Sequence, residues 1–314
     1  MNVLVTGSLG FIGGHLSERL IKLGHTVIGI DNLNTGLDST KKLLLSYNNL
    51  PNSCNYIHNN LDIRHKDLYK IFDIYRPKVV FHLAAITGVV NSILDPLETN
   101  DVNVNGTVNL LHSAAASGVN RFVFSSSSSV YGGIATLPTR EDDPLSPKSP
   151  YALQKKIGEE YCKMFSEKYN LDTVCLRYFN VFGPRQRADS PYAAVISSFS
   201  QAKKEDKSPI IYGDGKQFRD FTYIKNVVRA NTLAGFRDEG FSGEIFNIGC
   251  GNRIDLFEIL NHLECKQPIF KDTRPGDVRA SQADIRKAKR LLGYIPDESL
   301  AEQLKTTLQW YLSN

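Results

Sequence analysis

An α/β architecture is what this sequence predicts: a doubly wound parallel sheet followed by a second, smaller α/β lobe. Three observations carry that expectation. The chain opens with an apolar strand, Asn2–Thr6, that runs into Gly7-x-x-Gly10-x-x-Gly13 and then a helical stripe of Leu16, Leu20, Ile21 and Leu23 closing at Gly24. Short apolar runs then alternate with helical stretches as far as Asn180, the pattern of a parallel sheet with crossover helices. Beyond Asn180 the alternation gives way to shorter elements punctuated by Pro184, Pro191, Pro209, Gly213, Gly215, Pro268, Pro275 and Gly276.

The bulk properties agree with a globular enzyme-sized protein and exclude several classes. At 314 residues there is about two domains' worth of chain and ample material for a large core. Hydrophobic content of 41% and charged content of 22% are ordinary. A net charge of +4, with Lys and Arg dispersed rather than gathered, argues against a nucleic-acid partner. Five cysteines, odd in number and without a C-x-x-C pair, read as a reducing compartment. Seven histidines show no paired ligand spacing, so no metal is expected. There is no basic n-region at the start and no apolar run long enough to span a bilayer, so no membrane partner and a cytoplasmic location are expected.

Taken in order, the first strand, glycine turn and helix bring backbone N–H groups and a helix N-terminus to a point where a pyrophosphate can be held. A second apolar strand, Thr26 to Ile30, ends in Asp31, a carboxylate suited to the ribose hydroxyls of a dinucleotide and hostile to a 2′-phosphate, which favours NAD over NADP. Further strands are expected at Tyr56-Ile57-His58, Lys78 to Leu83, Arg121 to Ser126 and Thr173 to Tyr178, with helices at Asp67 to Tyr75 and roughly Asp101 to Ser117. Ligands of such sheets sit at the carboxyl ends of the strands. The residues expected there are Asp62-Ile63, Ala84-Ala85, Ser125 to Tyr131 and Arg177-Tyr178-Phe179-Asn180.

Between the fifth and sixth strands lies Ser149-Pro150-Tyr151-Ala152-Leu153-Gln154-Lys155. Ser149 suits an N-cap and Pro150 the first helical position, and Leu153, Ile157, Tyr161, Met164 and Phe165 recur at helical spacing until Asn170. Tyr151 and Lys155 then share a face, and an ammonium beside a phenol is expected to lower the phenol pKa. Tyr-x-x-x-Lys occurs a second time at Tyr212–Lys216, but two glycines and an aspartate make that segment a turn. Tyr151 is therefore the candidate acid/base.

Together these residues resemble the extended short-chain dehydrogenase/reductase superfamily, and within it the nucleotide-sugar 4-epimerases. The motifs that carry the resemblance are Thr6-Gly7-x-x-Gly10-Phe11-Ile12-Gly13, Asp31-Asn32-Leu33, Asp62-Ile63, His82-Leu83-Ala84-Ala85, Asn103-Val104-Asn105-Gly106-Thr107, Ser125-Ser126-Ser127-x-x-Val130-Tyr131-Gly132, Pro150-Tyr151-x-x-x-Lys155 and Arg177-Tyr178-Phe179-Asn180-Val181-Phe182-Gly183. The resemblance covers nearly the whole chain.

The resemblance implies a Rossmann-type NAD-binding domain over 1–180 and a nucleotide-sugar-binding domain over 181–314, with parts of about 219–249 packing back on the first. It implies Tyr151 as acid/base, Lys155 as anchor of the nicotinamide ribose, and Ser127 as partner of the reacting sugar hydroxyl. NAD is implied as cofactor, held by Gly7, Gly10, Phe11, Ile12 and Gly13, by Asp31, Asn32, Asp62 and Ile63, by Leu83, Ala84 and Ala85, and by Ser125 and Tyr178. A UDP-sugar is implied as substrate, with Asn180, Arg219 and Arg274 at the diphosphate, Tyr212 at the uracil and Asp277 at the ribose.

Related dehydratases carry an Asp-Glu pair directly after the catalytic Ser/Thr, and decarboxylases a Glu; here Ser128 and Ser129 stand there. The GDP-fucose-synthase type has a cysteine in this segment, and none is present. Simple 4-epimerisation remains. Ala194 and Val195 lie in a stretch resembling members that act on N-acetylated hexosamines, and Ser281 falls where the family has a gate beside the sugar C2 substituent. A small residue there implies UDP-GlcNAc/UDP-GalNAc interconversion, with UDP-Glc/UDP-Gal as a further pair. A UDP-glucuronate 4-epimerase and a non-catalytic NAD-sensing protein are the alternatives, and a homodimer is implied.

Overall fold

A computed structural model of the chain describes residues 1–49, 55–133, 136–188, 194–273, 278–297 and 299–314. Its centre is a seven-stranded parallel sheet containing β1 (Asn2–Thr6), β2 (Thr26–Ile30), β3 (Tyr56–Asn59), β4 (Val79–His82), β5 (Arg121–Ser127) and β6 (Asp172–Tyr178). The seventh strand, Glu244–Ile248, pairs with β6 at one edge, and the order across the sheet is this strand, β6, β5, β4, β1, β2, β3. The chain runs outward through β2 and β3 and then returns to place β4 beside β1. That reversal opens a crevice at the carboxyl ends of β1 and β4.

Alternation along each strand feeds two cores, one on each face of the sheet. Val3, Val5, Val27, Phe81 and Val123 face one side, where α1 (Phe11–Lys22) contributes Leu16, Leu20 and Ile21. Leu4, Ile28, Val80, Phe122 and Phe124 face the other. Between these lie α2 (Asp38–Ser46), α3 (Leu68–Tyr75), α4 (Val89–Leu94), α5 (Pro96–Asn100), α6 (Gly106–Ala116) and α7 (Pro150–Tyr169), of which α3, α6 and α7 cover the second face.

α5 and α6 are joined by a π-helical turn, Asp101–Asn105, so the helix foreseen from Asp101 starts one turn earlier, at Pro96, where Asp95 caps it. α2 has no counterpart in the sequence reading, because its Leu43 and Leu45 are exposed and leave no clear stripe.

The smaller lobe is built from α8 (Val195–Lys204), short strand pairs such as Ile210–Tyr212 with Ile269–Lys271, and the helices Leu256–His262 and Leu300–Ser313. Within it the chain returns to the large sheet: α9 (Ile224–Phe236) packs beside α1, and Glu244–Ile248 completes the edge. Through Ile224, Val227 and Ala234 of α9, the first core runs on continuously into Ile254, Ile259 and Leu304 of the small lobe. Among the described residues no helix is long and apolar enough to cross a membrane.

The α7 helix begins and ends where the sequence indicates. The Ser149 hydroxyl accepts from the Ala152 amide at 3.2 Å, Pro150 opens the first turn, and Asn170 closes it with φ of 53°. Its buried face differs from the apolar stripe. Ala152, Lys155, Gly158, Glu159, Cys162 and Phe165 turn inward, whereas Leu153 and Met164 are 47% and 45% exposed. Polar groups occupy the inner face because it carries the site, so the apolar stripe is split: Phe165 is buried, Ile157 and Tyr161 are half-buried, and Leu153 and Met164 face outward.

Candidate active site

A cleft of about 1030 Å³ runs from the glycine turn, across the carboxyl ends of β1, β4, β5 and β6, to the small lobe at Tyr212 and Arg219. Its floor is the turn after β1. Gly7 takes φ of 64°, and at Gly13 a Cβ would stand 2.0 Å from the Gly7 carbonyl oxygen, so a side chain there would force the helix off the turn. α1 starts with Gly10 as N-cap, with no side-chain cap and no acidic residue in its first turn, leaving its leading N–H groups open to an anion.

At the end of β2, Asp31 is fixed in place by two backbone donors: Leu9 donates to Oδ2 at 3.0 Å and Leu33 to Oδ1 at 2.9 Å. Asn32 donates to Asp62 at 3.0 Å, and Arg64, hydrogen-bonded to Asp62, holds that carboxyl down at about 2. Ile63, Leu83, Ala84 and Ala85 line the same stretch.

The backbone beyond β4 is held by a buried relay. The Leu83 and Ala84 amides both donate to Thr6 Oγ1, at 3.2 and 3.1 Å. Thr6 Oγ1 lies 2.8 Å from His82 Nδ1, His82 Nε2 lies 2.9 Å from Thr107 Oγ1, and Thr107 donates to the Asn103 carbonyl. With the Thr107 proton committed, Nε2 carries the imidazole proton and Nδ1 accepts from Thr6. Burial, aided by the Lys155 charge, pushes the His82 pKa down to about 3, so the ring is neutral.

Ser127, Tyr151 and Lys155 meet at the end of β5. Ser127 is hydrogen-bonded to Tyr151 and also accepts from the Ser129 amide at 3.2 Å. Lys155 Nζ donates to the Ser125 carbonyl at 2.8 Å, stands 4.9 Å over the Phe124 ring and lies 5.9 Å from the centre of the Tyr151 ring. Tyr178 joins Ser125 Oγ and Asn231 Oδ1, both at 3.0 Å. The expected lowering of the tyrosine pKa does not prevail: burial pushes Tyr151 up to about 12, with the Ser127 hydrogen bond opposing it. Lys155, also buried, is itself pulled down to about 8. In this pair the cost of desolvating either charge exceeds what one ammonium at this distance returns.

On the small-lobe side the cleft is lined by Asn180, Ala194, Val195, Tyr212 and Arg219. Asn180 donates to the Asp220 carbonyl at 3.1 Å and to Ser281 Oγ at 3.0 Å. Arg219 donates to the Phe218 carbonyl at 3.0 Å. Like α1, α8 starts without a side-chain cap or an acidic first turn, at Ala194 and Val195. Arg274 and Asp277 lie outside the described residues.

Two groups that support the cleft were given no role by the sequence, although Asn103 and Arg177 stand in its motifs. Asn103 grips the loop after β4 from both sides: its Oδ1 accepts from the Ile86 amide and its Nδ2 donates to the Ile86 carbonyl, each at 2.9 Å, while Nδ2 also reaches Gln154 Oε1 at 2.8 Å. The π turn that carries Asn103 aims it there. The second group is the buried pair Arg177–Glu159 beneath the serine run. An arginine inside a strand pattern and a glutamate two turns after Tyr151 were the available signals.

Fold and cleft define a dinucleotide-binding protein of the short-chain dehydrogenase/reductase type. Comparison with known proteins narrows the class. Residues 3–249 match the profile of the NAD dependent epimerase/dehydratase family. A "Putative UDP-glucose 4-epimerase" of Methanocaldococcus jannaschii is 38% identical over 99% of both chains. The structure of a UDP-N-acetylglucosamine 4-epimerase from Methanobrevibacter ruminantium, in complex with UDP-N-acetylmuramic acid, superposes with a TM-score of 0.91 at 40% identity, covering 99% of this chain and 98% of that one. A UDP-glucuronic acid 4-epimerase from Bacillus cereus, in complex with UDP-glucuronic acid and NAD, gives 0.90 at 33% identity, covering 100% and 99%. The chain belongs to the NAD-dependent epimerase/dehydratase family, and NAD is its cofactor. The residues present suit that group: a bare glycine turn at an uncapped helix start, a carboxylate at the end of β2, and a buried ammonium with one of its three donors used by Ser125.

Proposed function

We propose that this protein is an NAD-dependent UDP-sugar 4-epimerase whose main substrates are UDP-GlcNAc and UDP-GalNAc. The observation that carries the reading is the meeting of Ser127, Tyr151 and Lys155 at the carboxyl end of β5, where Tyr151 and Lys155 line one cleft that extends from the glycine turn to Tyr212 and Arg219. NAD supplies the acceptor and donor of hydride at the sugar C4. Tyr151 takes the O4 proton and returns it, exchanging it along the hydrogen bond to Ser127. Lys155 holds positive charge near the phenol and offers its remaining donors to the nicotinamide ribose. Because burial alone raises the Tyr151 pKa, its basicity depends on charge brought into the cleft with the ligands. Loss and return of hydride on opposite faces of a turned sugar invert C4 with no net redox change.

The UDP diphosphate is assigned to the uncapped start of α8 together with Asn180, Arg219 and Arg274, the uracil to Tyr212 and the ribose to Asp277. Ser281, bonded to the cleft-lining Asn180, is assigned the place beside the sugar C2, where a small residue leaves room for an acetamido group. The 40% identity to the archaeal UDP-N-acetylglucosamine 4-epimerase supports this choice. The uronate pair is the second reading, supported by the Bacillus cereus relative. We also assign a homodimer in which α7 and the helix before β5, α6, pair with their copies.

Incubation with UDP-GlcNAc, UDP-Glc and UDP-glucuronate in turn, with products resolved by NMR, tests the reading. UDP-GalNAc forming fastest supports it; faster conversion of the uronate moves the assignment to the second pair.

A further inference from the structure

Tyr151, Lys155 and Glu159 recur every fourth residue along α7, and each addresses a consecutive part of the serine run on β5. Tyr151 bonds Ser127, Lys155 donates to the Ser125 carbonyl, and Glu159 Oε1 accepts from Ser126 Oγ at 2.5 Å. The helix can lie this close because residue 158 is glycine: a Cβ there would stand 2.4 Å from Phe124 Cζ.

The mechanism proposed above uses the first two of these contacts and leaves the third without a role. Glu159 and Arg177 are 3% and 2% exposed. Arg177 grips the carboxylate with two parallel bonds, Nε to Oε1 at 2.8 Å and Nη2 to Oε2 at 2.7 Å. Its Nη1 donates onward to Tyr131 Oη at 2.7 Å and to the Glu141 carbonyl at 3.0 Å, and Tyr131 in turn donates to Asn247 Oδ1 at 2.7 Å. Ser127 therefore sits between two anchored points: Ser126, held by Glu159, and Tyr131, held by Arg177. A buried ion pair is weak evidence of stabilisation, since removing two charges from water costs about as much as their attraction returns. Its satisfied, bidentate geometry at the root of the reacting residues points to a different use.

We propose that Glu159 is a positioning residue for the reaction: clamped by Arg177, it fixes Ser126 and so the register of β5 against α7 that brings Ser127, Tyr151 and Lys155 together. Lys155 is faced by Tyr151, Glu159 and Cys162 of its own helix, by Cys175 of β6 and by His82 of β4. Behind Glu159 stands the Arg177 guanidinium of β6 that grips it. Burial pulls Lys155 down to about 8, and the Glu159 carboxylate, one turn along the same helix, acts against that pull.

This inference rests on the epimerase reading for its kinetic part, and its test includes a readout that does not. In the full-length protein labelled with 13C-lysine, the Lys155 signal, assigned by its loss in Lys155→Arg, is titrated in wild type and in Glu159→Gln. The lysine is expected to titrate about one pH unit or more lower in the variant. Its kcat should fall about tenfold or more at pH 8, with the alkaline limb of the profile moved downward by the same shift and KM for the UDP-sugar within about twofold. The double variant Glu159→Leu/Arg177→Met removes both buried charges. Its thermal midpoint should return towards wild type, while kcat stays low.

Superimposable lysine titrations and pH profiles in wild type and Glu159→Gln would overturn the proposal. So would a double variant whose activity recovers together with its stability, since the pair would then serve the fold alone. If wild type converts no UDP-sugar, the epimerase reading falls, whereas the lysine titration still decides the link between Glu159 and Lys155.

Discussion

The side-chain amide of Asn180, at the end of β6, donates to the hydroxyl of Ser281 at 3.0 Å. Asn180 lines the cleft, and this bond ties to it a residue from far along the small lobe that is not itself part of the lining. Replacing Ser281 by Tyr adds a ring beside Asn180. Overfilling a packed site costs about 1–3 kcal/mol, or on the order of ten- to a hundredfold in rate. Ser281→Tyr is therefore expected to lose UDP-GlcNAc conversion by that factor while UDP-Glc conversion survives. Kinetics on both pairs check it, and equal loss on both would remove Ser281 from the specificity argument.

Asp31 accepts two backbone N–H bonds and still faces the cleft. Asp31→Asn keeps the shape but presents a donor where one of the two amides needs an acceptor. NAD should bind about tenfold or more weakly, and discrimination against NADP should shrink because the anion facing a 2′-phosphate is gone. Fluorescence titration of cofactor-stripped protein with each dinucleotide measures both effects. Unchanged NAD affinity together with unchanged rejection of NADP would count against the assignment.

His82 is buried between Thr6 and Thr107 with its pKa at about 3, well below the ordinary histidine value near 6.5. The unfolded chain takes up this proton first as the pH falls. Stability should therefore be lost on acidification below about 6.5, by up to about 1.4 kcal/mol per pH unit from this residue, until the folded-state value is reached. Urea unfolding of wild type and His82→Gln at pH 7 and pH 5 reads the difference. The variant should lose less than wild type over that interval; equal slopes would contradict the buried-neutral assignment.

Leu97 of α5 and Leu153 and Met164 of α7 are 83%, 47% and 45% exposed, on helices that pack against each other. If a second copy covers this surface, light scattering should give twice the 35.1 kDa chain mass. Leu153→Glu should then lower the mass at micromolar concentration. A wild-type monomer would remove the dimer.

The large sheet was legible because its strands are short apolar runs bounded by turns, and every strand from β1 to β6 begins and ends within about two residues of its expected position. Four features were not. The inner face of α7 carries Lys155, Gly158 and Glu159, so its hydrophobic periodicity marks that face only at Phe165, while Leu153 and Met164 of the same stripe are exposed. The edge strand Glu244–Ile248 lies beyond the region of regular alternation, where no local pattern says which sheet it joins. The Tyr151 pKa depends on how much water the fold excludes, which a spacing of four residues does not contain. Asn103, carried on a π turn, meets Gln154 across 51 residues of chain, a long-range contact that local spacing does not contain.

The central claim is a hydride that leaves and returns within one active site, and retained cofactor tests it most directly. Protein purified without added dinucleotide, then denatured, should release close to one equivalent of NAD by mass analysis. The same preparation should interconvert UDP-GlcNAc and UDP-GalNAc with no cofactor supplied. Tyr151→Phe should keep the bound NAD and the nucleotide-sugar affinity while turnover falls by about 10²–10⁴-fold, the usual effect of losing a general acid/base. Protein that is empty as purified and active only while consuming added NAD stoichiometrically would contradict the account, as would a Tyr151→Phe variant with near-normal turnover.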